Sequence, residues 1–214
     1  MNPTAIIFNA IPVVLAITVH EVAHGWVAKQ CGDDTAYRLG RLSLNPLRHI
    51  DPIGTVLVPG LLLLTGSGVL FGWAKPVPVD VRRLRQRRRD TALVAAAGPF
   101  SNLLMIVFWM LVLRAGDQTS WLWLNNALIS MGEVGIIINS VLMLLNLVPV
   151  PPLDGSRVVS SLLPPRYAAY YNRIEPFGLI IVLILLMTNA LDFVFAPALY
   201  AIDAFARAFA LGSF

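Results

Sequence analysis

The stretch His20-Glu21-Val22-Ala23-His24 decides how this sequence is interpreted, because it places two imidazoles four residues apart with a carboxylate between them. On an α-helix, residues i and i+4 lie one turn apart on the same face, so His20 and His24 can bind a single metal ion. Glu21, about 100° around the helix, can then reach a water molecule on that ion. The pattern is typical of zinc hydrolases. The alternative is a pair of interfacial histidines and a glutamate at a helix end.

The sequence around this motif is strongly apolar. No charged residue occurs from Ala5 to Val19, and the whole chain is 57% hydrophobic and 13% charged. Soluble domains contain about 25% charged residues, so this composition predicts an integral membrane protein. A charged residue at the centre of a membrane helix costs roughly 2.5–3.5 kcal/mol on insertion scales, and such residues usually have a function.

The apolar segments predict an all-α polytopic membrane protein in a single domain, residues 1–214, with no separate soluble domain. We expect about five segments: one broken or re-entrant segment and four full spans near residues 5–29, 91–113, 126–147 and 176–199. Glycines and prolines interrupt residues 53–73, which we interpret as the broken segment. A small membrane-associated β element is expected near residues 39–46 and 69–80, lining the active-site cavity.

Basic residues are distributed unevenly along the chain. The net charge of +4 comes largely from the run Arg82–Arg89, which lies between two apolar segments. This position predicts contact with anionic lipid and not with nucleic acid. If the broken segment turns back, all 16 Lys and Arg except Arg114 and Arg207 lie on one side. The asymmetry predicts a cell-membrane protein with its N-terminus outside and its active site toward the cytoplasmic face.

A catalytic zinc site normally takes three protein ligands plus water, so a third ligand is needed. Asp154 is the candidate, because it lies in apolar sequence after a proline-rich end of the fourth segment, on the same expected side as His24. The alternatives are an N-cap role for Asp154 in a helix from Gly155 to Leu163, and Glu133 or Asp192 as the ligand. We interpret His49 as interfacial or capping, and the only cysteine, Cys31, as incidental.

Zinc held by His20, His24 and Asp154 would lower the pKa of its water toward about 7. Glu21 would take the proton and pass it to the leaving amine, which is the chemistry of amide hydrolysis. Because membrane helices enclose the site, we expect transmembrane proteins or peptides as substrates. An extended substrate could pair with the broken strand around residues 69–79 or with the unwound residues 148–153 at the end of the fourth segment.

Three motifs resemble the site-2 protease family of intramembrane zinc metalloproteases and occur in that family's order: HEVAH (20–24), GPFSN (98–102) and NLVPVPPLDG (146–155). The resemblance implies a minimal intramembrane zinc metallopeptidase with one Zn²⁺ ion, cleaving peptide bonds within or near transmembrane segments. It implies that His20, His24 and Asp154 bind the zinc and that Glu21 is the catalytic base. It also implies that Asn102 and Asn146 position the substrate or the site.

Two other functions are compatible with some of these residues. Buried His, Glu and Asp side chains also carry ions in membrane transporters, although the chain has no second copy of HEVAH as a repeated half-unit would require. An inactive family member acting as a binding partner is the other alternative, although every residue that the chemistry needs is present. The same ligands would also accept cobalt or other divalent ions.

Overall fold

The computed structural model describes residues 3–64 and 74–212. Its α-helices are α1 (Pro3–Gln30), α2 (Thr35–Arg38), α3 (Val58–Leu64), α4 (Arg87–Asp117), α5 (Leu122–Leu147), α6 (Asp154–Leu162), α7 (Pro165–Asn172), α8 (Glu175–Met187) and α9 (Asp192–Leu211). A 3₁₀ turn at Pro46–Arg48 and a π-helical segment at Pro52–Leu57 precede α3.

Four of these helices are long and apolar enough to cross a membrane: α1, α4, α5 and α9. Helices α7 and α8 meet the same criterion only as a pair, and they are bent by 63° at their junction. The prediction of an all-α polytopic membrane protein is therefore confirmed. Most of α4 and α5 coincides with the apolar segments seen in the sequence, and both helices extend a few residues beyond them.

Helix α4 lies at the centre of the bundle and packs against α1, α5, α6 and α9. Its buried face includes Asn102, Ile106, Trp109 and Leu113, which repeat with helical spacing. Its exposed face is also apolar and includes Phe100, Leu104, Val107 and Leu111. Helices that expose apolar side chains in this way are suited to lipid on one side and protein on the other.

Close backbone packing holds α4 against α5. A Cβ atom added to Gly135 on α5 would lie 2.3 Å from the indole ring of Trp109, so only glycine leaves room for that side chain. Trp109 belongs to a buried cluster with Ile106, Ile136 and Ala206, the last of which comes from α9. Because lipid is as apolar as these side chains, dense packing supplies most of their stabilisation in a membrane.

The predicted β element is wrong for the residues that the structure describes, since neither 39–46 nor 74–80 forms a strand; residues 69–73 lie outside the described part. Residues 74–80 form neither helix nor strand, and side chains occupy part of their backbone hydrogen-bonding capacity. These contacts are Val77 N–H to Glu21 Oε2 (2.7 Å), Asp80 N–H to Asp33 Oδ2 (2.6 Å) and Arg41 Nη2 to the Lys75 carbonyl (2.9 Å). These hydrogen bonds attach the 74–80 segment to α1 and to the loop that follows α1, and they take the place of pairing with another strand.

The expected single span over 176–199 is also wrong. The segment divides between α8, which ends at Met187, and α9, which begins at Asp192. Asn189 lies in the turn with a φ of 56°, a left-handed conformation that asparagine adopts more readily than most residues. Helix α9 is then a separate membrane-length helix that packs against α4 and α5.

The Asp33 carboxylate fixes the 74–80 segment to the end of α1. Asp33 is fully buried and accepts hydrogen bonds from the backbone N–H groups of Thr35 (3.0 Å) and Asp80 (2.6 Å). Burial opposes its ionisation, but these hydrogen bonds and the one from the Thr35 hydroxyl outweigh burial and lower the pKa of Asp33.

We expect Asp33→Asn to destabilise the protein by about 1.5–3 kcal/mol at neutral pH, because a charged buried acceptor is lost. The pKa of Asp33 is lowered in the folded protein, so its contribution is present above the unfolded value of about 3.9 and disappears as the pH falls through the folded value. Thermal unfolding in detergent between pH 7 and pH 3 measures both effects. Asp34→Asn is the control, since Asp34 makes surface ion pairs worth at most about 1 kcal/mol.

Candidate metal centre

Three side chains with metal-binding atoms meet between α1 and α6. His20 and His24 lie one turn apart on α1, and Asp154 lies in the first turn of α6. The Nε2 atoms of the two histidines are 3.1 Å apart, and each is 3.2 Å from Asp154 Oδ2. The side chains are 9–14% exposed, so the cluster is almost removed from the surface.

The outer nitrogens of both imidazoles are occupied by hydrogen-bond acceptors. His20 Nδ1 lies 2.6 Å from Asn102 Oδ1, and His24 Nδ1 lies 2.7 Å from the backbone carbonyl oxygen of Val94. An acceptor at this distance requires the proton on Nδ1, so in the neutral imidazoles each Nε2 presents a lone pair to the other ring and to Asp154. Hydrogen bonds that fix the tautomer in this way are typical of metal-binding histidines.

With both imidazoles neutral, this arrangement places three acceptor atoms together without a proton between them. Asp154 Oδ2 is buried without a hydrogen bond of good geometry, 3.2 Å from the Nε2 atom of each imidazole. Tetrahedral zinc with bonds of about 2.0–2.1 Å separates its ligands by about 3.3 Å, close to the observed spacing. His20, His24 and Asp154 therefore fit a zinc ion in both geometry and donor chemistry.

Gly98 on α4 provides the space beside this cluster. A Cβ atom at residue 98 would lie 2.4 Å from His24 Nε2 and 2.5 Å from His20 Cε1, far closer than real contacts allow. The absence of a side chain at this position therefore lets α4 cover the two imidazoles while their Nε2 atoms stay available to a cation.

Glu21 lies beside the cluster, in the same cavity. The cavity is lined by His20, Glu21, His24 and Asp154, by Asn146 and Arg157, and by residues of the 76–84 segment, of α4 and of the loop before α6. Glu21 Oε2 accepts a hydrogen bond from Val77 N–H at 2.7 Å, which fixes the orientation of the carboxylate. The cavity thus holds a cluster that could bind a metal ion and an adjacent carboxylate, the combination that general-base catalysis at a metal centre requires.

The two asparagines singled out from the sequence occupy different places. Asn146 lines the cavity, and its Nδ2 donates to the Leu142 carbonyl (3.0 Å). Asn102 is fully buried behind His20 and is not part of the cavity wall. Its amide contacts His20 on α1 and Asn139 on α5, so it acts on the imidazole and packs the helices at the same time.

The other candidates from the sequence lie away from the cluster. His49 is buried and contacts the Ser43 carbonyl (2.9 Å), and Glu133 is half-exposed beside Arg207. Asp192 begins α9, and Asp154 belongs to the first turn of α6 without capping it. Cys31 lies beside Asp90, and burial together with that carboxylate raises the pKa of the thiol.

Several residues at the site were not recognised from the sequence. The Val94 carbonyl, Val77 N–H and Asn139 act through contacts between distant parts of the chain, and nothing in the local sequence indicates these contacts. Arg157 follows Asp154 by three residues, so helical spacing could have placed it near the cavity. Gly98 belongs to the motif GPFSN, but its role depends on which side chains α4 faces.

Membrane-length helices around a buried His-His-Asp cluster define the class of this protein: a polytopic membrane protein with a metal-hydrolase type of site. The chain is 41% identical over 197 residues to "Putative zinc metalloprotease YwhC" of Bacillus subtilis, covering 91% of this chain and 86% of that protein. It therefore belongs to the site-2 protease family of zinc metalloproteases, and its cofactor is Zn²⁺.

More distant relatives agree with this assignment. "Putative zinc metalloprotease Rip2" of Mycolicibacterium smegmatis is 28% identical over 189 residues, 87% of this chain and 69% of that protein. "Regulator of sigma-E protease RseP" of Escherichia coli is 34% identical over 100 residues, 43% of this chain and 21% of that protein. No protein-family model and no solved structure matched the chain.

We expect Gly98→Ala to lose zinc, because the added methyl group would overlap both imidazoles. The zinc content of purified protein, measured by mass spectrometry, should fall from about one ion per chain toward zero. Gly60→Ala on α3 is the matched control, since a Cβ atom there meets nothing within 4 Å. Full zinc occupancy in the Gly98→Ala protein would contradict the observed packing of α4 over the cluster.

Proposed function

We propose that this protein hydrolyses peptide bonds within or near transmembrane segments of other membrane proteins, with one zinc ion held by His20, His24 and Asp154. The observation that carries the proposal is the convergence of three acceptor atoms, 3.1–3.2 Å apart, beside a carboxylate in a cavity between membrane helices. A bound zinc ion supplies a Lewis acid that polarises the substrate carbonyl and makes water a better nucleophile.

Glu21 is the general base in this proposal. It lies in the cavity next to both imidazoles, and the Val77 N–H fixes its orientation. The carboxylate takes a proton from the attacking water and gives it to the amine nitrogen as the C–N bond breaks, which balances the hydrolysis of an amide. The Nδ1–H groups of His20 and His24 donate hydrogen bonds to Asn102 Oδ1 and to the Val94 carbonyl, so neither imidazole takes part in this proton transfer.

The substrate is a peptide in an extended conformation. In a helix, each backbone carbonyl is occupied by a hydrogen bond, so a transmembrane substrate must unwind before its carbonyl can reach the cavity. Pro76, Val77 and Val79 contribute to the lining of the cavity, and so does Asn146 at the end of α5. Asn146 is suited to position the substrate, since its carbonyl oxygen and second N–H can hydrogen-bond to a peptide.

Glu21→Gln should lower peptidase activity by about 10²- to 10⁴-fold, the usual contribution of a general base, without loss of zinc. Asp154→Asn should lose both zinc and activity. The assay is cleavage of a labelled single-span peptide in lipid vesicles, with zinc content measured on the same samples. Glu133→Gln is the control, because Glu133 pairs with Arg207 away from the cavity. Cleavage that persists in the Glu21→Gln protein would refute the role of Glu21.

For the orientation, we propose that the N-terminus lies outside the cell and that the metal centre lies toward the cytoplasmic face. Arg88, at the start of α4, donates to the Ser161 and Leu162 carbonyls at the end of α6 (3.0 and 3.1 Å). At the other end of α4, Arg114 donates to the Phe209 carbonyl (3.2 Å). The basic run Arg82–Arg89 thus lies at one end of the bundle, and Arg114 and Arg207, the two basic residues expected on the other side, lie at the opposite end. This separation supports cytoplasmic placement of the basic end.

The basic end also offers a surface for anionic lipid. Within Arg82–Arg89, Arg83 pairs with Asp34 and Arg88 binds α6, whereas Arg82 and Arg87 are exposed. Each exposed arginine near an anionic membrane surface contributes about 1 kcal/mol of attraction. We therefore propose that this run contacts the lipid headgroups of the cytoplasmic leaflet.

Cysteine labelling tests the orientation. In a Cys31→Ser background, cysteines that replace Arg48 and Arg85 should react with an impermeant reagent only from the cytoplasmic side, and one that replaces Gln118 only from outside. We expect the two basic positions to share a side because the Arg85 N–H donates to the Cys31 carbonyl just after α1, and the turn at Pro46–Arg48 contacts α1. Gln118 follows the other end of α4. Labelling of positions 48 and 85 from opposite sides would overturn the topology.

A further inference from the structure

A chain of buried amides connects α5 to the metal centre. Asn139 Nδ2 donates to the Gly135 carbonyl (2.7 Å), and Asn139 Oδ1 accepts from Asn102 Nδ2 (2.8 Å). Asn102 Oδ1 in turn accepts from His20 Nδ1 (2.6 Å). Both asparagines are fully buried, and no water is needed to complete the three hydrogen bonds.

The direction of this chain is set at its far end. A backbone carbonyl can only accept, so the Gly135 carbonyl requires the NH₂ group of Asn139 and turns Asn139 Oδ1 toward Asn102. Asn102 must then present its own NH₂ group to Asn139, which leaves Asn102 Oδ1 facing His20. The His20 proton is therefore held on Nδ1, and the lone pair of Nε2 faces Asp154.

We propose that Asn139 is a positioning residue for the zinc site: it fixes the orientation of the Asn102 amide, and through it the tautomer of His20. The inference rests on the proposed ligand set and extends it to a residue on α5, which supplies no ligand itself. The Ala16 carbonyl also faces Asn102 Nδ2, but at 3.5 Å it is too distant to fix the amide alone.

Replacing Asn139 with Leu or Ala removes the acceptor and should weaken zinc binding by about 10-fold, the lower end of what is lost when partners of metal ligands are removed. Asn139→Asp should bind zinc like the wild type. In either protonation state an aspartate offers an acceptor to Asn102 Nδ2, and when protonated it also donates to the Gly135 carbonyl. The readouts are zinc affinity by chelator competition and the visible spectrum of the Co²⁺-substituted protein.

Ser140→Ala is the matched control. Ser140 is the next residue on α5, is equally buried, and donates to a backbone carbonyl four residues earlier, but it has no link to His20. Ser140→Ala should not measurably change the zinc affinity or the Co²⁺ spectrum. Nitrogen NMR of the labelled histidines in metal-free protein should find the Nδ1–H tautomer of His20 in the wild type and in Asn139→Asp, and a mixture in Asn139→Leu.

Wild-type zinc affinity in both apolar variants, or equal weakening by Ser140→Ala, would overturn the proposal. If the leucine variant does not fold, the alanine and aspartate variants still decide the outcome, because they differ in whether position 139 carries an acceptor. An incorrect ligand set would be recognised separately, because His20→Ala would then leave the zinc affinity unchanged. The effect of the Asn139 variants on the His20 tautomer, measured by NMR, does not depend on that result.

Discussion

The structure depends on the meeting of three acceptor atoms that repel one another unless a cation lies among them. His20 Nε2, His24 Nε2 and Asp154 Oδ2 come within 3.2 Å of each other, and the protons of both imidazoles are on their outer nitrogens. Helices α1 and α6 both pack against α4 so that these three atoms converge. With the proposed ligand set, a zinc ion would offset their repulsion and couple the late part of the chain to the first helix.

Helix α4 joins the site to the rest of the bundle. At one end its arginine Arg88 binds the end of α6, whose first turn carries Asp154. In its middle, the Val94 carbonyl, the bare backbone of Gly98 and the Asn102 amide all contact the imidazoles. One helix thus sets the orientation of both histidines and the position of the helix that carries the carboxylate.

The sequence predicted the membrane class and the family well, because both depend on local patterns: apolar length, helical spacing and three short motifs. The sequence predicted secondary structure less well in segments whose backbone N–H and carbonyl groups can form hydrogen bonds with more than one partner. Residues 69–80 were predicted to belong to a small β element, but in the described part, 74–80, Glu21 and Asp33 accept hydrogen bonds from the N–H groups of Val77 and Asp80. The last segment was predicted as one span, whereas the turn around Asn189 divides it into α8 and α9. The first of these outcomes depends on side chains that are distant in the sequence.

The sequence by itself determined the pair of imidazoles on one helix face, the carboxylate between them and their apolar surroundings, since helix geometry fixes the relation of residues four apart. Only the tertiary structure decided that Asp154 completes the cluster, that Gly98 leaves room for it, and that Asn102 and Asn139 hold one imidazole proton in place. The physical reason is that these relations join α1, α4, α5 and α6, whose packing no local pattern specifies.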